Sequence, residues 1–134
     1  MYKKVLVPIA VDHSPNTDTQ LQIAKALAGS DGKITVLTVM EAVPSFIMSE
    51  LPEGQLEHNQ AEMRKVLEGI VGDPAVEIAV VMGHAGRTIN QYADENGTDC
   101  IVIASHQPGL QGYFLGSTAA RVVRHAHCAV HVLR

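Results

Sequence analysis

Tryptophan is absent from this 134-residue chain, and aromatic residues make up only 4 % of it, although 46 % is hydrophobic. A core must therefore be built from Val, Ile, Leu, Ala and Met, and a chain of this length can bury one as a single domain. No apolar run comes near the roughly 20 residues that a membrane-spanning helix needs, so no membrane partner is expected. Lys3-Lys4 leads directly into a short strand-like run, unlike a secretory leader. Basic charge is also scarce. Ten Lys and Arg stand against 14 Asp and Glu, for a net charge of −4, whereas a nucleic-acid binder would show a basic face. The only cysteines, Cys100 and Cys128, form no CxxC and sit in apolar, strand-like surroundings. They read as buried thiols in a reducing, cytoplasmic compartment. Two nucleotide signatures are missing as well. No Gly-Lys-Ser/Thr excludes a Walker A loop, and no GxGxxG excludes the dinucleotide fingerprint.

What the chain does have is a regular alternation of short apolar runs and helical patterns. Residues 4–9, 34–39, 76–82, 100–104 and 129–133 read as strands, continuous in apolar character as strands covered on both faces are. Residues 18–28, 55–71, 87–95 and 117–125 read as helices. Their inward faces are expected at Leu21, Ala24, Leu27 and Ala28, then Met63, Val66, Leu67 and Ile70, then Ile89, Tyr92 and Ala93, and last Ala120, Val122 and Val123. Residues 41–53, with Pro44 and Pro52 around Phe46-Ile47-Met48, read as a surface connection holding a frayed turn; the competing reading is a lid over a ligand. Five strands and four helices in alternation predict a three-layer, doubly wound α/β domain over residues 1–134, with a mainly parallel sheet in the order 3-2-1-4-5. Such a sheet binds ligands beyond the carboxyl ends of its strands, where the strand order reverses. Strands one and four meet at that reversal. Residues 9–14 and 104–117 would then converge, with Val39 at the end of the second strand as the third wall.

Residues 100–119, CIVIASHQPGLQGYFLGSTAA, carry the strongest local signal. A buried strand runs into a loop bearing Gly and Pro, then Gly116-Ser117-Thr118 opens a helix. A helix start leaves backbone N–H groups unpaired and partially positive, which suits phosphate. The plainer alternative is an ordinary N-cap at Ser117 or Thr118.

At these residues the chain resembles the universal stress proteins, whose nucleotide-binding members carry Gly-x-x-Gly, a spacer and Gly-Ser/Thr after the fourth strand. Ala104-Ser105-His106-Gln107 stands where the first half would stand, and Gly116-Ser117 matches the second. The closing GSTAARVVRHAHCAVHVLR and the opening KKVLVPIAVDHS are similar to the ends of the small single-domain F/G-type members. The resemblance implies an adenine nucleotide, ATP or AMP, with or without Mg2+, in the crevice. Pro8 and Ile9 would line the adenosine side, and Val39 would meet the adenine through its backbone. Ala104, His106 and Gln107 would wrap the ribose and phosphates, and Gly116, Ser117 and Thr118 would hold the phosphates. Ala10 replaces the family's acidic residue, with Asp12 two positions later. Relatives also dimerise through the last strand, here 129–133.

Catalytic chemistry is sparse. Phosphoryl transfer asks for metal-binding carboxylates and a residue that orients the nucleophile. Asp12, His13, His106, Ser117 and Thr118 supply no paired carboxylates. Binding rather than turnover is expected. The alternatives are a slow ATPase or autophosphorylating protein, with Ser117 the first suspect, and a dimeric interaction protein that binds no nucleotide. His125, His127 and His131 do not share one helix or strand face, so no metal site is expected there.

Overall fold

The computed structural model describes residues 1–11, 17–105 and 115–134. Five strands are present: β1 (Lys4–Pro8), β2 (Lys33–Met40), β3 (Glu77–Met82), β4 (Cys100–Ala104) and β5 (Ala129–Leu133). The helices are α1 (Thr17–Ala28), α2 (Ser45–Met48), α3 (Gln55–Val71), α4 (Ala85–Glu95) and α5 (Ser117–His125). The sheet order is β3-β2-β1-β4-β5 with every pair parallel, as the alternation of elements predicts. The described helices are five rather than four, because one turn forms at Ser45–Met48 within the expected connection. α4 also starts two residues earlier than its apolar spacing suggests.

Strand alternation divides the core in two. Val5, Val7, Val36, Cys100 and Val102 face one side and pack with Leu21, Ala24 and Ala28 of α1 and Leu67 of α3. Leu6, Leu37, Ile101 and Ile103 face the other side and pack with Ile89 and Ala93 of α4 and Ala119 and Val122 of α5. Side chains two apart on a strand share a face, so each central strand supplies both layers.

Two helix faces differ from expectation. In α3 only Leu67 is buried, while Val66 and Ile70 are 47 % and 38 % exposed. The helix packs on β3, an outermost strand, and the sheet ends there, so only a narrow stripe of the helix is covered. In α5 the buried pair is Ala119 and Val122, and Val123 is 44 % exposed. An i, i+3 pair lies on one side of a helix, and Ala120 and Val123 fall about 100° further round.

Both cysteines are free. Cys100 is buried, and its thiol is pushed up to about 11, first by burial and then by the nearby Cys128 and Asp99. Cys128 is half-buried rather than buried, and its thiol is likewise raised, mainly by burial. Both shifts disfavour the reactive thiolate. Among the described residues no helix is long and apolar enough to cross a membrane.

Candidate functional site at the carboxyl ends of the strands

The site forms where β1 and β4 part. Their pairing covers Val5↔Cys100 and Leu6↔Ile101. Beyond it the carbonyls of Pro8 and Val102 lack a ladder partner across the gap, and Gln20 of α1 serves both. Its fully buried amide donates from Nε2 to Pro8 O at 3.1 Å and to Val102 O at 3.4 Å. A buried amide without such bonds would be costly, so Gln20 is held and in turn fixes the spacing of the two strand ends. On the other flank Ile9 N–H donates to Leu37 O at 2.8 Å, and Thr38 Oγ1 donates to Ile9 O at 2.8 Å. Both backbone groups of Ile9 are thus occupied within the fold. The β1–β2 register ends at Pro8↔Leu37. Val39 lies two residues beyond it and, by alternation from Leu37, turns its own N–H and C=O toward the same, now empty, side.

Ser105 joins the two ends of the 106–114 connection. Its N–H donates to Leu133 O at 2.7 Å, and its Oγ accepts from Gly116 N–H at 2.9 Å. The end of β4 and the start of α5 are clamped together by this one hydroxyl. α5 then begins from Gly116 as N-cap, which offers no side chain to its first-turn donors; Gly116 O accepts from Ala120 N–H at 2.9 Å. The first-turn N–H groups and the Ser117 and Thr118 hydroxyls stand at the positive end of the helix. Gly116 has φ −59°, which any residue tolerates, so a need for glycine there could come only from space.

Two connected spaces open over this frame. One is an apolar cavity of about 160 Å³ lined by Pro8, Ile9, Ala10, Leu37, Val39, Ala85, Ile89, Ile103, Ala104 and Thr118. The other is a polar groove of about 560 Å³ lined by Glu41, Ala42, Gly83, His84, Ala85, Ser117, Thr118 and Arg121. Ala85 and Thr118 belong to both. Gly83 shapes the groove's floor: its φ of +150° is open to glycine, and a Cβ there would collide with Thr88 Oγ1. Its N–H donates to Met40 O at 2.9 Å, tying the turn to the end of β2.

Of the residues singled out in the sequence, Pro8, Ile9, Val39, Ala104 and Thr118 line one cavity, and Ser117 lines the adjoining groove. Gly116 is buried and lines neither space; it is the N-cap just before Ser117. Asp12, His106 and Gln107 lie outside the described residues. Gln20, Ser105, Ile89, His84, Glu41 and Arg121 were missed. Ser105 carried a faint signal as the first hydroxyl after a strand. The others belong to elements that only the tertiary fold brings to this end of the sheet.

A sequence model of the universal stress protein family matches residues 1–134. The chain belongs to the universal stress protein family. Among curated family members it is 32 % identical over 142 residues to universal stress protein G of Shigella flexneri, with all of both chains covered. Among solved structures, the universal stress protein UspA of Lactobacillus plantarum is 26 % identical, with 99 % of this chain and 98 % of that one covered and a TM-score of 0.69. A universal stress protein solved in complex with cAMP shares the fold at a TM-score of 0.65 and 21 % identity, covering 99 % of this chain and 97 % of that one. The likeness to these relatives spans nearly the whole chain.

Proposed function

We propose that this universal stress protein binds an adenine nucleotide at the carboxyl ends of β1, β2 and β4 and acts by binding rather than by turnover. The observation that carries the reading is the apolar cavity, in which residues from three strands and two helices, distant in sequence, form one wall. Small-molecule sites run to roughly 300–1,000 Å³, so the cavity of about 160 Å³ is too small alone, and the groove of about 560 Å³ brings the pair into range. A planar base suits the first and a charged chain of phosphates the second. Val39 would read the base edge through its outward N–H and C=O, and Ser117 and Thr118 would take the nearest phosphate at the α5 start. The solved relative in complex with cAMP, itself an adenine nucleotide, supports this ligand class.

A divalent cation accompanying the phosphates would find one carboxylate on the groove wall, Glu41. That is compatible with Mg2+, which takes one or two carboxylates together with phosphate oxygens and water. Turnover is not expected, because phosphoryl transfer asks for a set of metal-binding carboxylates, and the groove wall among the described residues offers one, Glu41. Two copies of the chain would pair through β5, presenting two such sites.

Denaturing the purified protein and resolving the released supernatant by anion exchange tests for carried nucleotide. Calorimetry with ATP then compares the wild type with Gly116→Val, which puts a branched side chain at the buried N-cap of α5. The expected outcome is binding by the wild type and a loss of about tenfold or more in the variant, the scale of one lost charge-assisted contact. Equal affinity in both, or none in either, removes the site from Gly116. Sustained hydrolysis that disappears in Ser117→Ala would replace the binding reading with the enzymatic one.

A further inference from the structure

We infer that Arg121 sets the charge preference of this site, acting as a second anion contact beyond Ser117 and Thr118 so that di- and triphosphates bind better than the monophosphate or the nucleoside. The inference rests on the nucleotide-binding reading above. Three observations point to it. First, Ser117, Thr118 and Arg121 all line the polar groove. On a helix, positions three and four apart are neighbours, so Arg121 stands one turn along α5 from both hydroxyls. Anion contacts at the start of the helix and one turn further on suit a chain of phosphates rather than a single one.

Second, the stem of Arg121 is held in place. A Cβ at position 86 would stand 2.7 Å from Arg121 Cδ, 3.0 Å from Cβ and 3.1 Å from Cγ. Gly86 in the first turn of α4 is buried and leaves a slot into which the arginine's methylenes lie. An unrestrained arginine gives up rotamer entropy when it is fixed, and a stem already lodged against a neighbouring helix has lost part of that in advance.

Third, the charge is unspent. The ion pairs among the described residues are Lys25–Asp73, Lys65–Glu62 and His127–Asp94, and Arg121 is in none of them. Glu41, on the wall of the same groove, makes no ion pair with it among the described residues. A guanidinium carries five donors in a planar fork, and one borne on the wall of this groove can match phosphate oxygens two at a time.

Calorimetric titrations with ATP, ADP, AMP and adenosine, on the wild type and on Arg121→Gln and Arg121→Lys, test this. Arg121 is exposed, so the variants keep the fold, which circular dichroism checks. Wild-type affinity is expected to rise from AMP to ADP to ATP. Arg121→Gln should lose about five- to tenfold for ATP, the low end for a charge-assisted contact because the group is solvated. Its ATP affinity should depend less on salt, its adenosine affinity should stay unchanged, and Arg121→Lys should recover part of the loss as a point charge without the fork. Equal ATP affinity in the wild type and Arg121→Gln overturns the inference and leaves nucleotide binding standing. So does an equal loss for adenosine, which would mark a general packing role. No binding of any of the four ligands to the wild type removes the nucleotide reading and this inference with it.

Discussion

Glu41 and Arg121 line one groove with opposite charges, and each should push a polyphosphate in its own direction. Glu41→Gln removes a repulsive carboxylate. In the absence of divalent cations, ATP affinity is expected to rise about two- to fivefold, the range of a solvated charge interaction. The gain should shrink at high salt, where such interactions are screened. Calorimetry at two ionic strengths measures it, and an unchanged or weaker affinity at low salt would place the phosphates away from Glu41. Individual residues of the site were legible only in part. Gly116-Ser117-Thr118 was visible as a helix start, a pattern that an ordinary N-cap and a phosphate site share, and in the structure Gly116 is the N-cap of α5. Arg121 was not visible in this way, because its position over Gly86 depends on two helices that are not adjacent in sequence.

At the scale of elements, the joint between β1 and β4 hangs on Asp99. Its Oδ2 and Oδ1 accept from Lys3 N–H and Lys4 N–H, each at 2.9 Å, and its own N–H donates to Lys4 O at 3.0 Å. Burial pushes this carboxyl up, but the backbone donors of Lys3, Lys4 and Asp99 and the Lys3 charge together outweigh it and hold the carboxyl below its ordinary value of 3.8. A group depressed in the folded state stabilises fully above its unfolded value. That contribution is lost as pH falls from 3.8 through the lower folded value. Asp99→Asn keeps the shape and one acceptor while losing the charge and the second acceptor. It is expected to cost about 1–2 kcal/mol at pH 7. The difference from the wild type should narrow as pH drops below 3.8 toward the folded value. Urea melts at the two pH values check both statements, and a gap that widens in acid would reverse the sign. No sequence pattern distinguished Asp99 from a turn residue. The secondary structure itself was largely legible, since apolar runs of strand length alternate with 3.6-residue periodicity. The helix faces were less so, because how much of a face is covered depends on what lies beyond the sheet's edge.

The whole molecule ends its sheet at β5, which pairs with β4 alone. Leu133 O accepts from Ser105 N–H, so Leu133, His131 and Ala129 turn their backbone groups toward β4. Val130 and Val132, by alternation, turn theirs to the open edge. The strand contains no Pro or Lys to protect that edge. Its side chains are half-buried or exposed in the single chain rather than fully covered, which leaves apolar area for a partner. Val130→Pro therefore removes a donor from the open edge without breaking the β4 ladder. Sedimentation equilibrium at tens of micromolar is expected to give a dimer for the wild type and a folded monomer for the variant. The interface would be isologous, with β5 antiparallel to its copy across a two-fold axis. A wild-type monomer, or a folded and dimeric Val130→Pro, rules this interface out.

By itself, the sequence determined the alternation of elements and therefore the parallel sheet. Apolar periodicity and Gly or Pro punctuation are local properties that neighbouring residues express together. It also pointed to the strand ends that line the cavity, because a doubly wound sheet has one reversal point and the loops reaching it can be counted along the chain. Only the tertiary structure decided which face of α3 and α5 is covered and that Gln20 bridges the parting strands. It alone lodged Arg121 against Gly86. Each of these depends on the distance between groups far apart in sequence. That distance is set by packing, to which residues with no local preference for the contact contribute as much as those with one.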